Sequence, residues 1–241
     1  MKKLIVAFLL AMGPALGFAA GGAVHLDKAN IDLSDQASLQ RGAKLFVNYC
    51  LNCHSAKYQR YNRMAKDLGM TEDEVKQNLM FTTDKIGDTM TIALNPEDGE
   101  RWFGVAPPDL SVITRARGVD WIYTYLRSFY ADPAKPWGVN NTVFPDVGMP
   151  HVLWELQGVQ KAVFKEIDGK KEFQKFELER PGKLTPPEFD AAMRDLTAFL
   201  SYVGEPVQLE RKALGWYVIG FLLIFLVVSY LLKKEYWKDV H

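Results

Sequence analysis

Cysteine is scarce in this chain: the 241 residues contain only two, Cys50 and Cys53. A zinc site built on cysteine pairs needs two further ligands at similar spacing, and the sequence has no second pair to supply them. A thioredoxin-like redox pair belongs in a βαβ setting, which the neighbouring residues do not provide. The scarcity of cysteine therefore argues against a structural zinc site and against thiol–disulfide exchange.

The chain also lacks an excess of either charge, because 29 Lys and Arg residues balance 29 Asp and Glu residues. Proteins that bind nucleic acid usually carry a clear basic surplus, so the composition indicates no nucleic-acid partner. The hydrophobic share of 48% and the charged share of 24% allow one good-sized domain with appendages.

The two cysteines belong to the run Cys50-Leu51-Asn52-Cys53-His54, which has the form C-x-x-C-H. This spacing is typical of the attachment of a c-type haem. Two thiols on one helical turn can each add to one vinyl group of the porphyrin, and His54 then supplies a neutral imidazole nitrogen to the iron. The motif predicts one covalently bound haem c, attached to Cys50 and Cys53, with His54 as the proximal ligand.

The first 20 residues are typical of a secretory signal. Lys2 and Lys3 precede an apolar run over residues 4–12, and small residues follow at 15–20. The run is short for a membrane span and Pro14 follows it, so cleavage is favoured over an uncleaved segment. Export agrees with a covalent haem, since c-type haem is attached outside the cytoplasm in bacteria.

Residues 213–232 form an uncharged stretch between two basic pairs. Twenty helical residues rise about 30 Å, which is the thickness of a hydrocarbon core. The protein is therefore predicted to cross the bacterial inner membrane once, with its haem domain on the periplasmic side. The predicted organisation is a signal peptide at 1–20, a periplasmic cytochrome c domain at 21–206, a linker at 207–212, a transmembrane helix at 213–232 and a cytoplasmic tail at 233–241.

Helical patterns dominate the exported part. The predicted fold is mainly α: a domain like that of class I cytochromes c, with a small β-hairpin insertion and one C-terminal transmembrane helix. The first helix is expected to start after Ser34 or Asp35 and to run into the haem motif. Further helices are predicted over 71–79, 112–117, 121–130 and 185–204, the hairpin over 160–178 and a loop over 83–101.

Two adjacent prolines, Pro107 and Pro108, mark the segment APPDLS. They fix an extended backbone, and a stiff apolar edge suits the rim of a planar cofactor. Taken alone, the pair fits an ordinary turn before a helix better. Asp109 or Ser111 is expected to cap the helix that follows.

A second iron ligand is expected from the loop over residues 132–150. Gly148 and Pro150 flank Met149 and hold the backbone open for a thioether. A sulfur ligand raises the reduction potential and fills the sixth position, which favours electron transfer over oxygen chemistry. Met149 is the favoured ligand, and His151 is the alternative, whose coordination would lower the potential.

Several of these features occur together in one protein family. CLNCH follows RGAKLFVNY, APPDLS is followed by Arg115-Ala116-Arg117, GMP lies in a late loop, and the last helix of the domain leads into one anchor. Over about residues 35–240 the chain resembles the cytochrome c1 family, the haem c subunits of the respiratory quinol:cytochrome c oxidoreductase (cytochrome bc1 complex).

The resemblance implies a carrier that takes single electrons from a Rieske iron–sulfur protein and passes them to a soluble or tethered c-type cytochrome. Its partners would be cytochrome b and the Rieske protein, in a dimeric complex. The resemblance also implies that residues 107–111 lie against the haem. It further assigns Arg117 to a haem propionate, with Arg115 as the alternative.

Two other functions remain as alternatives. A free-standing or oxidase-associated c-type cytochrome with a membrane anchor would carry the same motifs without cytochrome b. A haem peroxidase would need an open distal position, and Met149 argues against it.

Overall fold

The computed structural model describes residues 25–167 and 169–239, so the predicted signal at 1–20 lies outside the described residues. The described part is mainly helical, as predicted. The helices are α1 (Gln36–Leu45), a π-helical turn (Phe46–Cys50), α2 (Tyr61–Asp67), α3 (Glu72–Asn78), α4 (Pro96–Phe103), α5 (Ile113–Arg117), α6 (Val119–Arg127), α7 (Trp154–Gln157), α8 (Pro186–Gly204) and α9 (Gln208–Tyr236). The strands are β1 (Ala56–Arg60), β2 (Thr89–Met90), β3 (Phe129–Ala131), β4 (Val139–Asn141), β5 (Gly158–Ile167) and β6 (Lys170–Pro181), and they pair antiparallel as β1–β2, β3–β4 and β5–β6.

The core of the domain is built where α1 crosses α8. Gly42 permits the close approach, because a Cβ at this position would lie 2.1 Å from the backbone oxygen of Asp195. Phe46 then packs on Phe199, with ring centroids 5.6 Å apart. The carboxylate of Asp195 accepts a hydrogen bond from Arg41 Nε at 2.6 Å, which joins the same two helices. The predicted helix over 185–204 therefore closes the core against the first helix.

Helix α1 begins where the sequence indicates and leads into the C-x-x-C-H motif. Asp35 caps the helix by accepting from the backbone N–H of Ser38 at 3.0 Å. Beyond Leu45, the chain widens into the π-helical turn Phe46–Cys50, a local change that is frequent at functional sites. The turn buries Cys50 and leaves His54 partly exposed.

The predicted loop over 83–101 is wrong at its C-terminal end, because Pro96–Phe103 is helical. Asn95 caps this helix by accepting from the N–H of Asp98 at 2.7 Å, and Pro96 occupies the first turn. An Asn-Pro pair indicates a turn, but the same pair also suits a helix start, which is the role that it takes here.

Helix α6 is shorter than predicted, since it ends at Arg127 and the chain continues as strand β3. β3 pairs with β4 so that Tyr130 lies opposite Asn140. This small sheet brings the loop that follows Asn141 back onto α6.

The predicted β-hairpin is present and longer than expected, with Ile167 opposite Lys170 at its tip. Gly169 has a φ of +74°, which glycine adopts without strain. Phe164 of β5 contacts Tyr130 of β3, with ring centroids 5.8 Å apart. The hairpin therefore packs against β3 by means of β5.

Helix α9 spans the 29 residues Gln208–Tyr236 and buries none of its side chains. Its most apolar part has a mean hydropathy of 2.3, so by length and composition it can cross a membrane. The predicted linker at 207–212 is helical from Gln208 onward, and only residues 205–207 separate α8 from α9. The boundaries at 21–206, 213–232 and 233–241 stay predictions, and residues 240 and 241 lie outside the described part.

Candidate functional site

One cavity brings both expected iron ligands together. His54, from the end of the C-x-x-C-H motif, and Met149, from the loop before α7, line the same space. The larger compartment of this cavity measures about 1010 Å³, counted to its open mouth. Most of the other side chains that line it are apolar: Val105, Pro108, Leu110, Ile113, Ile122, Leu126, Val147, Leu196 and Leu200.

His54 is oriented by a hydrogen bond to the proline segment. Its Nδ1 lies 2.7 Å from the backbone oxygen of Pro108, so Nδ1 carries the proton and donates it. Nε2 is then the unprotonated nitrogen, which is the form that a metal requires. Burial lowers the pKa of His54, while the Pro108 carbonyl and the Asp109 carboxylate act in the opposite direction. The ring is therefore a neutral imidazole held in one tautomer.

The two thiols lie on the turn that precedes this imidazole. The backbone N–H groups of Cys53 and His54 both donate to the carbonyl of Cys50, at 3.1 and 2.9 Å. While the two sulfurs are free thiols, burial raises the pKa of Cys50 to about 12 and also raises that of Cys53. Among the described residues, no group of three or more His, Cys, Asp or Glu side chains is placed to hold a metal ion.

Pro107 and Pro108 form one wall of the cavity. Pro107 packs against α4, since a Cβ added at Gly99 would lie 2.7 Å from its Cδ. The N–H of Leu110 donates to the carbonyl of Ser55 at 2.8 Å, directly after the cysteine motif. The wall is therefore fixed on two sides.

The prediction that Asp109 or Ser111 caps the next helix is wrong, because α5 follows Val112 without a side-chain cap. The Asp109 carboxylate instead accepts from the N–H of Lys57 at 3.0 Å. Ser111 Oγ accepts from the N–H of Tyr58 at 3.1 Å. Both side chains bind β1, and they thereby join the proline wall to the strand that follows the C-x-x-C-H motif.

The loop that carries Met149 is held by two asparagines that the sequence did not single out. Asn141 Oδ1 accepts from two N–H groups of the loop at 2.9 and 3.1 Å, and its Nδ2 donates to the carbonyl of Tyr125 at 2.9 Å. Asn140 Oδ1 accepts from the N–H of Asp146 at 2.9 Å, where φ is +61°. In the sequence, the only sign of this role is that two asparagines lie in a turn, and asparagine is common in turns of every kind.

Gly148 lies beside Met149 for a steric reason. A Cβ at Gly148 would lie 2.8 Å from Cγ1 of Val105. The glycine therefore lets the methionine loop approach the segment after α4 closely. The sequence suggests that Gly148 keeps the loop open, and the structure shows that it allows close packing.

An aromatic group from α6 forms the wall next to Met149. Trp121 and Tyr125 stack with centroids 5.0 Å apart and planes 9° apart, and Phe129 meets Tyr125 at 5.2 Å and 68°. The Tyr125 hydroxyl donates a hydrogen bond to Met149 Sδ at 3.3 Å. Burial raises the pKa of Tyr125, so the hydroxyl remains a donor. Helical spacing indicates apolar cover at these positions, but it does not reveal the contact with sulfur.

His151, the alternative ligand, lies in a different environment. Its ring is buried and stacks on Phe129 at 4.9 Å with planes 5° apart, and it lines a separate pocket with Trp154. Burial lowers the pKa of His151 to about 4, while Gln157 and the backbone of Gly158 act in the opposite direction. Within the described residues, neither ring nitrogen of His151 has a hydrogen-bond partner. The cavity that contains His54 and Met149 is not lined by His151.

Of the two candidate arginines, Arg117 and Arg115, only Arg117 lines the cavity. Its guanidinium lies 5.1 Å from the Trp121 ring centre and 5.7 Å from that of Phe144. Within the described residues, no carboxylate forms an ion pair with Arg117. Arg115 instead lies close to Gly204, at the end of α8. Arg117 is thus the arginine available to an anionic group in the cavity.

These features together suit a haem. A porphyrin presents apolar faces, two vinyl groups, an iron with two axial positions and ionised propionates. The cavity offers an apolar lining, two thiols, a neutral imidazole, a thioether and a guanidinium without an ion-pair partner among the described residues. Each chemical requirement of the group has a matching side chain.

Comparison with known proteins agrees with this site. The model of the Cytochrome C1 family matches residues 28–161 and 182–240. The chain belongs to the Cytochrome C1 family. The residues between the two matched ranges, 162–181, form most of the β5–β6 hairpin.

Relatives cover the whole chain. A cytochrome c1 of Allochromatium vinosum is 55% identical over 100% of both chains. A protein of Nitrosomonas europaea named ammonia monooxygenase gamma subunit is 48% identical, over 100% of this chain and 99% of its own. A cytochrome c1 of Rhodospirillum rubrum is 26% identical over 100% of this chain and 99% of its own.

Membership of the Cytochrome C1 family determines the cofactor and the general role. The chain carries one covalently attached haem c. It is a membrane-anchored c-type cytochrome of the cytochrome bc1 complex, with cytochrome b and the Rieske protein as the partners that this complex implies. The apolar helix α9 fits this anchor by its length and composition.

Proposed function

We propose that His54 and Met149 are the two axial ligands of the haem iron and that Cys50 and Cys53 form the thioether links. The observation that carries this proposal is the hydrogen bond from His54 Nδ1 to the Pro108 carbonyl at 2.7 Å, which leaves Nε2 free for iron. The presence of Met149 in the lining of the same cavity supports the second ligand. Pro107, Pro108 and Arg117 complete the cofactor contacts, with Arg117 directed to a propionate.

With these ligands the protein performs outer-sphere electron transfer. The haem supplies a centre that gains and loses one electron at a time. His54 and Met149 would both bind the iron, which would leave no position for oxygen or peroxide, and these two side chains would need to move little during electron transfer. The apolar walls exclude water, which keeps the reorganisation of solvent small. We infer that the electron comes from the Rieske protein and leaves to a soluble or tethered c-type cytochrome.

We also propose on which side of the membrane the haem domain lies. The N-terminal residues have the features of a secretory signal, and the haem attachment requires export. Both support a haem domain on the periplasmic side of the bacterial inner membrane, with the last residues in the cytoplasm. The parent complex is proposed to be a dimer.

The ligand assignment is tested by Met149→Leu in the full-length protein, purified in mild detergent with its haem. The oxidised wild type is expected to show the near-infrared band of a sulfur–iron bond. The variant should lose this band, and its reduction potential should fall. His151→Gln is the matched control and should leave both unchanged. If the wild type lacks this band and its spectrum changes in His151→Gln but not in Met149→Leu, His151 is the ligand. If Met149→Leu keeps the band, another methionine is the ligand.

The partners are tested by isolating the complex from membranes and identifying the subunits that co-purify. Cytochrome b and a Rieske protein are expected. Recovery of monooxygenase subunits, as the name of the Nitrosomonas europaea relative would require, would contradict the assignment to the quinol-oxidising complex. Haem reduction by quinol that stops when the Rieske protein is removed would support the proposed electron donor.

A further inference from the structure

Tyr125 touches the Met149 loop at two points. Its hydroxyl donates to Met149 Sδ at 3.3 Å, and its backbone carbonyl accepts from Asn141 Nδ2 at 2.9 Å. Asn141 also binds two N–H groups of the loop. Tyr125 is thus hydrogen-bonded both to the Met149 thioether and to Asn141, the side chain that holds the Met149 loop.

The ring of Tyr125 has little freedom to leave this position. Trp121 stacks on it at 5.0 Å from the preceding helical turn, and Phe129 meets it edge-on at 5.2 Å from the following strand. Within the described residues, Met149 Sδ is the only hydrogen-bond partner of the hydroxyl. A buried hydroxyl without a partner is costly, so the tyrosine and the sulfur constrain one another.

We propose that Tyr125 is a positioning residue that selects the sulfur lone pair available to the iron and raises the reduction potential of the haem. This inference rests on the proposed function, specifically on Met149 as axial ligand. A thioether sulfur has two lone pairs. When the O–H of Tyr125 engages one of them, the other is left for the metal, and the side chain is held ready for binding.

The sign of the effect on the potential follows from charge. A hydrogen bond withdraws electron density from the sulfur, which weakens its donation to ferric iron more than to ferrous iron. The positive end of the O–H dipole also points towards the Met149 sulfur, and a positive dipole end beside an iron ligand would favour the electron-rich reduced state. Both effects raise the potential, so removal of the hydroxyl lowers it.

The test is Tyr125→Phe in the full-length protein with its haem, because this change removes only the hydroxyl. Tyr123→Phe is the matched control: it is the same substitution on the same helix, and Tyr123 lies beneath the guanidinium groups of Arg127 and Arg194 rather than in the cavity. Three quantities are measured: the midpoint of a redox titration, the near-infrared band of the oxidised form, and the binding of added imidazole to the ferric protein.

The expected result for Tyr125→Phe is a lower midpoint, a shifted band, and imidazole binding to the ferric protein that is about 3- to 10-fold weaker, because the sulfur then donates more strongly to ferric iron; the factor corresponds to one hydrogen bond. Tyr123→Phe should match the wild type in all three. Haem content and the thermal midpoint separate this effect from misfolding. If Tyr125→Phe folds poorly, a nuclear Overhauser contact between the Tyr125 hydroxyl proton and the Met149 methyl group in the reduced wild type serves instead.

Two results would overturn the inference. If the potential and imidazole affinity of Tyr125→Phe equal those of the wild type, or if Tyr123→Phe shifts them as much, Tyr125 has no positioning role while Met149 remains the ligand. If the wild type itself has no near-infrared sulfur–iron band, the ligand assignment fails and the inference fails with it. Absence of the Overhauser contact in the reduced wild type would equally contradict it.

Discussion

His54 Nδ1 and the carbonyl oxygen of Pro108 are hydrogen-bonded across 54 positions of sequence. This contact joins the imidazole of the C-x-x-C-H motif to the rigid proline segment that forms one wall of the cavity. Because Pro108 has no N–H and a fixed φ, its peptide is held in a narrow range of orientations. The carbonyl therefore directs the imidazole, and it also increases the basicity of the nitrogen that faces the metal.

We predict that Pro108→Gly raises the reduction potential. A glycine lets the carbonyl swing away, which weakens the hydrogen bond and makes the imidazole a poorer donor to ferric iron. The expected shift is on the order of tens of millivolts, because the free energy of one hydrogen bond is converted into the potential of a one-electron couple. A redox titration measures it, with Pro133→Gly on an exposed loop as the control. A fall in the potential would contradict the proposed role of the carbonyl.

Arg117→Gln should lower the potential. Arg117 is the arginine that lines the cavity, and a positive charge near the haem favours the reduced state. Loss of one partly screened charge should lower the potential by on the order of tens of millivolts. Arg115→Gln, beside Gly204, is the control and should leave the potential nearly unchanged. Equal shifts in both variants would mean that Arg117 acts only through the overall charge of the domain.

Gly42→Ala is expected to destabilise the domain strongly. The new methyl group would lie 2.1 Å from the carbonyl oxygen of Asp195 and 2.7 Å from Cβ of Phe199, so α1 and α8 would have to separate. The better helix propensity of alanine contributes only about 1 kcal/mol, whereas overpacking costs about 1–3 kcal/mol and occasionally more, and a clash with rigid backbone belongs at the upper end of that range. Urea unfolding followed by circular dichroism measures the loss.

Gly87→Ala provides the comparison for that experiment. No atom lies within 4 Å of the position that its Cβ would occupy. The free energy of unfolding should therefore change by no more than about 0.5 kcal/mol. A similar loss in both glycine variants would show that the crossing of α1 and α8 is not the sensitive point.

The ion pair of Asp120 predicts a pH dependence of stability. The Asp120 carboxylate accepts hydrogen bonds from Lys28 Nζ at 2.7 Å and from the N–H of Ala29 at 3.0 Å. Both contacts lower the pKa of Asp120 below 3.8. The folded state therefore binds this proton less tightly than the unfolded state, so the contact stabilises the fold above the unfolded pKa and is lost as the pH falls through the lowered pKa.

Asp120→Asn should accordingly reduce the urea midpoint at about pH 7, and its difference from the wild type should shrink at about pH 3. Asp84→Asn changes an exposed loop residue and should have little effect at either pH. A difference that grows on acidification would show that the sign is wrong.

Features with a local cause could be predicted from the sequence. Capping boxes are present at Thr71 with Glu74 and at Thr185 with Glu188, and both helices begin there. These contacts span only three residues, so short-range chemistry is enough to determine them. The C-x-x-C-H motif and the hairpin around Gly169 are local in the same sense.

Features that depend on distant partners could not be predicted. Asp109 suits a helix cap, but the fold brings Lys57 within 3.0 Å of its carboxylate and the carboxylate binds there instead. The contact between Tyr125 and Met149 joins residues 24 positions apart and depends on how β3 and β4 fold the loop back. A sequence pattern reveals apolar cover at Tyr125, but the identity of the atom that its hydroxyl meets is a property of the tertiary structure.

The turn between α8 and α9 has a consequence for how electrons arrive and leave. Three residues, 205–207, separate the two helices, and the side chain of Arg211 on α9 pairs with Glu205 across the turn. A three-residue segment spans about 10 Å even when it is fully extended. The haem domain is thus held close to its membrane anchor, and it has little freedom to move between an electron donor and an acceptor. The donor and the acceptor must therefore each come to the haem domain, one after the other.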